Sequence, residues 1–219
     1  MLETEHLKLF LEDQSNIIVD LNISIKNINR LIADKYEYED EVKQHGFFVH
    51  HIYQLKFILV IQLSKLFSKR KGEERSFYKL CNKLESSEYG TSLKILLENN
   101  KNKTTEEVRS KADVINLVND VRKLLLSQDE LSERIVRLRD QIYAHIDINP
   151  SVQNVSLNEI EKLVEIASEI HNLVRFRIFF WKTRFDHLRD WDIDYVLCYM
   201  ANHRKNKLEN INKKKDGLL

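Results

Sequence analysis

Residues 155–189 read VSLNEIEKLVEIASEIHNLVRFRIFFWKTRFDHLR, and this stretch decides the fold class. Ser156 and Glu159 have the spacing of a capping box, and Val155 with Ile160 can form the hydrophobic staple that fixes the entry angle of a helix. Apolar residues then recur at helical spacing, at Leu163, Ile166, Ala167, Ile170, Val174, Ile178, Trp181 and Phe185. The pattern predicts a long helix that reaches about Arg189 and is enclosed from more than one side.

Similar periodicity extends through most of the chain. It predicts an amphipathic helix at residues 17–42, a central helix at 47–67, short helices at 77–84 and 92–98, and a short final helix at 193–201. Capping boxes that begin at Thr104 and Ser127 predict two further helices, the first ending near Leu126 and the second before Pro150. We therefore predict an all-α fold, a single-domain helical bundle with additional short helices.

The composition agrees with this fold class. Four glycines and one proline in 219 residues leave few tight turns, which argues against β-sandwiches, β-barrels and glycine-loop nucleotide folds. The 35 basic and 34 acidic residues nearly cancel, so no global charge attracts nucleic acid or membranes. We predict one helical domain at residues 1–202, with a core at about 35–200, and a basic, flexible tail at 203–219.

The cysteines and the apolar runs bear on the cellular compartment. Cys81 and Cys198 stand apart from any Cys-x-x-Cys pattern, which indicates two buried thiols in a reducing compartment. The acidic N-terminus lacks the order of a signal peptide. The longest aliphatic and aromatic run, residues 57–61, is far shorter than the roughly 20 residues of a membrane span. We expect a soluble, cytoplasmic protein without membrane contact.

The sequence has no pattern that is typical of a metal or cofactor site. A di-iron bundle needs two inward-facing Glu-x-x-His pairs, whereas the chain has one, Glu3 with His6. His45, His50 and His51 cluster without the spacing of a zinc site. We expect no metal and no cofactor.

Residues 134–147, RIVRLRDQIYAHID, carry the strongest candidate site. An apolar seam runs through Leu131, Ile135, Leu138, Ile142 and Ile146. On an ideal helix, Arg139 lies about 65° to one side of this seam and His145 about 55° to the other. Both side chains would then rim one surface and could converge on a phosphate. The alternative is a solvated arginine with a histidine that neutralises a helix C-terminus.

The segment Arg139-Asp140-Gln141-Ile142-Tyr143-Ala144-His145-Ile146-Asp147 resembles the Arg-Asp-Lys-x-x-Ala-His-x-Asp signature of the AbiU-type abortive-infection branch of the HEPN superfamily. Residues 46–48, 63–67 and 192–199 are similar to other landmarks of that family. The resemblance covers about residues 35–200. It departs at Gln141, where the family often has Lys. Asp147 stands where toxins paired with a nucleotidyltransferase often carry Tyr, so control by adenylylation at this position is not supported.

The resemblance implies a helical bundle that forms homodimers and cleaves RNA without a metal. Its implied catalytic residues are Arg139, Asp140 and His145, with the Arg and His of both copies at the dimer cleft. Because imidazole titrates near neutral pH, His145 can act as base or acid, while the arginine binds phosphate and the aspartate orients a neighbouring side chain. The expected products carry a 2′,3′-cyclic phosphate and a 5′-hydroxyl.

Further residues and partners complete this hypothesis. Tyr143 and Asp147 are expected to support the site, and Arg134 and Arg137 to contact RNA. An antitoxin or another defence protein is an expected partner. The competing hypothesis is a non-catalytic helical module of a defence system that binds RNA, a nucleotide or a protein.

A separate stretch offers either an RNA-stacking surface or ordinary core packing. Basic residues there alternate with aromatic ones: Arg175, Arg177, Lys182, Arg184 and Arg189 with Phe176, Trp181, Phe185 and Trp191. Most of these aromatic residues fall at core spacing, which favours packing.

Overall fold

The computed structural model of the chain describes residues 3–86, 108, 110–144, 154–187 and 191–215. These residues form eight α-helices and a π-helical turn and contain no strand, which confirms the predicted all-α class. The helices are α1 (Glu3–Ile32), α2 (Glu39–Lys43), α3 (Gly46–Phe67), α4 (Phe77–Glu85), α5 (Lys111–Ser127), α6 (Asp129–Leu138), α7 (Leu157–Phe179) and α8 (Asp194–Lys215). The π-helical turn spans Arg139–Ala144.

Helix α7 begins where the sequence predicts. The Ser156 hydroxyl accepts from the Glu159 backbone N–H, and the Glu159 carboxylate accepts from the Ser156 backbone N–H, so both halves of the capping box are present. The helix ends earlier than predicted, at Phe179, because Phe180 adopts a left-handed conformation with φ 63° and ψ 23°. The predicted extension to about Arg189 is therefore wrong.

Helix α1 differs from the predicted helix at residues 17–42. It begins at Glu3 and buries Leu7, Phe10 and Leu11, although charged residues dominate the local composition. It ends at Ile32, well before residue 42. The chain then turns because the buried Glu39 carboxylate accepts the backbone N–H groups of Lys35 and Tyr36.

Two further helix starts differ from the prediction. Helix α5 begins at Lys111, since Ser110 and Asp113 form its capping box; the predicted box at Thr104 and the short helix at 92–98 lie outside the described residues. The Ser127 hydroxyl does not cap α6 but donates to the Leu124 carbonyl, so the box predicted there is wrong.

Helix α3 has nearly the bounds of the helix predicted at residues 47–67, but it is not enclosed as the predicted central helix would be, because Phe47, Val49 and Tyr53 are exposed. By length and composition alone it would also suffice to cross a membrane, with a mean hydropathy of 1.3 in its most apolar window. Only 28% of that window is buried, on the side of the helix that carries Leu55, Leu59, Leu63 and Leu66.

Helix α8 continues to Lys215, although the sequence predicts a helix that ends at 201 and a flexible tail from 203. The predicted boundary at residue 202 thus falls inside a helix. Ion pairs of Arg204 with Glu41 and of Lys205 with Glu37 involve this extension. Both cysteines are free, and Cys198 is partly exposed where a buried thiol was expected.

Contacts divide the chain into two compact units. The first unit comprises Met1–Leu21 and Leu59–Asp186, and the second comprises Asn22–Ile58 and His187–Leu219. In the first unit, α5 packs against α4 and α7 around buried side chains such as Leu80, Leu117 and Leu163. In the second unit, α2 packs against α8, where Arg30 pairs with both Glu39 and Asp194. The prediction of one domain stays a prediction.

Candidate functional site

Arg139 and Asp140 open a π-helical turn at the end of α6. A π turn bonds residue i to residue i+5, so it interrupts the α-helical ladder, and such turns are frequent at functional sites. It also changes the angle between successive side chains. The angles predicted for Arg139 and His145 about the apolar seam assume an α-helix with about 100° per residue. They therefore do not hold beyond Leu138, where the α-helix ends.

Arg139 is the centre of a network of ion pairs in the first unit. Its Nη1 atom donates to Glu73 Oε1 at 2.7 Å, and its Nε atom donates to Asp140 Oδ1 at 2.9 Å. Arg70 also donates to both carboxylate oxygens of Asp140. Asp140 was expected to orient one neighbouring side chain, and it accepts hydrogen bonds from two arginines, Arg70 and Arg139.

The network shifts the pKa of both partners. Burial lowers the pKa of Arg139, but the hydrogen bonds to Glu73 and Asp140 outweigh burial and raise it above its ordinary value. Burial raises the pKa of Asp140, but the hydrogen bonds from Arg70 and Arg139 outweigh it and lower the pKa. Arg139 is therefore a fixed cation and Asp140 a fixed anion at neutral pH.

Arg70 and Glu73 come from the segment that joins α3 to α4. The Arg70 backbone N–H donates to the Ser68 hydroxyl, and the Glu73 backbone N–H donates to the Arg70 carbonyl at 3.1 Å, which folds the segment into a turn. Ser76 then caps α4 by accepting from the Lys79 backbone N–H. The sequence identifies this segment only as a basic loop and gives no signal that it reaches Arg139.

A pocket of about 290 Å³ shares Arg70 with this network. It is lined by Phe67, Ser68, Lys69, Arg70, Ser132, Glu133, Val136 and Arg137. Phe67 and Ser132 are buried, whereas the side chains of Arg70 and Arg137 are 58% and 60% exposed. The pocket therefore has an apolar base and a mainly basic rim, which suits a ligand with a flat apolar part and an anionic part.

The two arginines expected to contact RNA have different surroundings. Arg137 lies on the rim of the pocket, and its contacts with other described residues are a 4.0 Å ion pair with Glu133 and a 3.4 Å hydrogen bond to the Glu133 carbonyl. The side chain of Arg134 is only 18% exposed and pairs with Glu159, the capping residue of α7. The ion pair of Arg134 thus links α6 to the start of α7. Of the two arginines, Arg137 is the one whose side chain lines the pocket and can contact a ligand.

The described residues include only part of the predicted site. His145 and Asp147 lie outside them, and of Tyr143 only the backbone is described, within the π turn. Gln141, at the position where the family often has Lys, has a buried Oε1 atom with no hydrogen-bond partner in the described part of the chain. The structure brings Arg139 and Asp140 together with Arg70 and Glu73, which the sequence did not identify.

The proposed RNA-stacking surface is largely occupied by contacts within the chain. The guanidinium of Arg175 lies 3.7 Å from the centre of the Trp181 ring, and Lys182 Nζ lies 4.8 Å from that of Phe176. Phe185 is buried against His171. Of the remaining members, Trp191 belongs to the second unit and Arg189 lies outside the described residues.

Among the described residues, no group of three or more His, Cys, Asp or Glu side chains is placed to hold a metal ion. No protein-family model matches the chain, and neither a curated protein nor a solved structure shows significant similarity to it. The HEPN resemblance therefore rests on the sequence motifs alone.

Proposed function

We propose that the chain is a metal-independent endoribonuclease of the HEPN type that acts in phage defence or as a toxin. The single observation that carries the proposal is the π-helical turn at Arg139 and Asp140, which joins a basic-rimmed pocket through Arg70. Four basic side chains there can contact a polyanion such as RNA: Lys69, Arg70, Arg137 and Arg139. Four carboxylates balance them, Asp129, Glu73, Glu133 and Asp140, so RNA must displace some of these ion pairs when it binds.

The proposed reaction uses the 2′-hydroxyl of RNA as the nucleophile. His145 removes its proton or protonates the leaving oxygen, since imidazole titrates near neutral pH. Arg139 presents a planar fork of donors to the phosphate oxygens and stabilises the extra negative charge of the phosphorane. Asp140 is a positioning residue that holds Arg139 and Arg70. The products are a 2′,3′-cyclic phosphate and a 5′-hydroxyl.

In the present arrangement Glu73 occupies one donor of Arg139. A phosphate that binds Arg139 must therefore displace the Glu73 carboxylate or bind beside it. We propose a homodimer as the active form, because a two-fold interface brings the same patch of both copies together and supplies a second His145 for the opposite end of the scissile bond.

The test is cleavage of a labelled single-stranded RNA by the purified chain in EDTA, with analysis of the product ends. We expect Arg139→Ala and His145→Ala to abolish cleavage. Arg122→Ala, which removes a surface ion pair with Glu85 elsewhere in the first unit, should leave it unchanged. Full activity of a folded His145→Ala protein would reject the assigned role, and a monomer that cleaves at micromolar concentration would reject the two-copy site.

The second candidate is a non-catalytic module that binds RNA, a nucleotide or a protein partner of a defence system. The observation that favours it is the neutralisation of Arg139 by two carboxylates, which leaves this side chain less free for chemistry. Binding of RNA without strand scission supports this candidate. Toxicity on induced expression that disappears with Arg139→Ala or His145→Ala would support the ribonuclease instead.

A further inference from the structure

A second pocket in the first unit, of about 250 Å³, is separate from the residues assigned to RNA cleavage. Helix α1 contributes one wall. The other wall comes from the last turns of α7 and from Trp181, which follows that helix. The lining residues are Lys8, Leu11, Glu12, Arg175, Phe179 and Trp181. Three of them are charged and three are apolar, which is the mixed lining of a small-molecule site.

Arg175 is the unusual member of this lining. The residue is only 8% exposed, and its one hydrogen bond to another described residue goes from Nη1 to Thr183 Oγ1 at 3.1 Å. Burial lowers the pKa of Arg175 and the charge of Glu12 raises it in part, but within the described residues no carboxylate accepts a hydrogen bond from its guanidinium. A buried cation without a paired anion is costly in a folded protein. A bound anion would remove that cost.

The wall around Arg175 is held in place before any ligand binds. The guanidinium lies 3.7 Å from the centre of the Trp181 ring. The Thr183 backbone N–H donates to Asn172 Oδ1 at 2.8 Å, and Asn172 Nδ2 donates to the Thr183 carbonyl at 3.1 Å. Phe180 makes the turn between Asn172 and Thr183 at φ 63°, a left-handed conformation that is costly for a bulky side chain.

The charges and the size of the pocket restrict its ligand. Lys8 and Glu12 are one helical turn apart on α1 and offset each other, so Arg175 leaves a single net positive charge. A guanidinium offers a flat pair of donors that matches the two oxygens of a carboxylate. The volume lies below the range of about 300–1,000 Å³ that is usual for drug-sized ligands. Phe179 and Trp181 supply apolar surface for one ring, whereas Leu11 is buried behind them.

We propose that this pocket binds a small aromatic carboxylate, with its carboxylate on Arg175 and its ring against Phe179 and Trp181. The site goes beyond the ribonuclease function and does not depend on it. Either activity can be absent without affecting the other.

The test is a titration of the full chain with phenylacetate, benzoate and indole-3-acetate. The intrinsic fluorescence of Trp181 reports binding in a Trp191→Phe background, since these are the two tryptophans of the chain. We expect saturable binding by at least one of these probes, with acetate and inorganic phosphate about tenfold weaker because they lack the ring. No saturable change with any of the three carboxylates up to about 10 mM would overturn the proposal.

Variants separate a ligand site from a structural arginine. We expect Arg175→Met to weaken binding by about tenfold or more while its melting temperature stays equal or rises, because a buried unpaired charge is removed. The matched control Arg184→Met, at an exposed arginine, should bind as the parent does. Unchanged binding by Arg175→Met would overturn the proposal. Nuclear Overhauser contacts between the probe and the Phe179 ring test it in the parent chain, without reliance on a variant; their absence at saturation would also overturn it.

Discussion

The guanidinium of Arg139 donates to the carboxylate of Glu73 at 2.7 Å, across 66 residues of sequence. This pair couples the π-helical turn after α6 to the segment between α3 and α4. It also places a carboxylate where the proposed function requires a phosphate.

Replacing Glu73 with Gln removes the negative charge beside Arg139 but retains a side chain of similar size. We expect the affinity for single-stranded RNA to increase by about threefold to tenfold, because Arg139 then has a free charge-assisted donor. Fluorescence anisotropy with a labelled RNA at fixed salt measures the change. The adjacent Glu74→Gln, at an exposed residue that pairs with Lys79, is the control and should have little effect. An affinity that falls in Glu73→Gln would contradict the displacement of Glu73 by phosphate.

The two neighbouring arginines of α6 form a matched pair for a second prediction. Arg137→Gln should weaken RNA binding and reduce the slope of log affinity against log salt by about 0.7, the value for one phosphate contact to a single strand. Arg134→Gln should leave this slope unchanged but lower the melting temperature by about 2–4 °C, because Arg134 fastens the capping residue of α7. Salt titrations and thermal melts of both proteins measure these effects. A reduced salt slope in Arg134→Gln together with a reduced melting temperature in Arg137→Gln would refute our distinction between the two arginines.

Glu39 provides a prediction on acid stability. Burial raises the pKa of this carboxylate, but hydrogen bonds from Arg30, the backbone of Lys35 and Tyr36, and Lys43 lower it from 4.5 to about 2. The charged form is thus favoured in the folded state, so its contribution of about 3 kcal/mol is present above pH 4.5 and is lost as the pH falls toward 2.

Glu39→Gln should therefore lose most of this contribution at pH 7. Its free energy of unfolding should then fall less than that of the parent as the pH is lowered from 4.5 to about 2. Urea unfolding at several pH values measures it. The control is Glu37→Gln, which removes only an exposed ion pair with Lys205 and should change stability little. Equal stability of Glu39→Gln and the parent at pH 7 would contradict the prediction.

How much of this fold the sequence predicts depends on whether the signal is local. The start of α7 was predictable because Ser156 and Glu159 satisfy each other three residues apart. Its end was not, because Phe180 takes the left-handed conformation without the glycine that usually announces it. The pairing of Arg70 and Glu73 with the Arg139 turn joins residues far apart in the chain, so no local pattern could reveal it.

His171 provides a further prediction on acid stability, since the folded state keeps this base neutral whereas it keeps Glu39 charged. Burial, with a smaller contribution from Arg175, lowers its pKa from 6.5 to about 4, and neither ring nitrogen has a hydrogen-bond partner in the described regions. The folded state therefore keeps the imidazole neutral, while the unfolded chain takes up a proton below about pH 6.5. Stability is fully present above that pH and is lost as the pH falls toward 4, by about 2 kcal/mol between pH 7.5 and pH 5.

His171→Leu should remove this loss and also stabilise the protein at pH 7.5 by about 1 kcal/mol, because a buried polar ring without partners is replaced by an apolar side chain. Chemical denaturation at pH 7.5 and at pH 5 provides both values. His203→Leu, at an exposed histidine of α8, serves as the control and should retain the parent's pH dependence. If His171→Leu lost as much stability on acidification as the parent, His171 would not be the responsible group.

The π-helical turn at Arg139–Ala144 makes this part of the chain sensitive to its length. Each residue advances an α-helix by about 100°, so deleting one residue here to restore the ordinary ladder would rotate the following backbone by more than a quarter of a circle. Substitutions within the turn leave that rotation unchanged, whereas single-residue deletions and insertions do not. Mutational scans of folding stability that include changes of length should therefore find that deleting or inserting one residue within the turn is more damaging than a substitution at the same position.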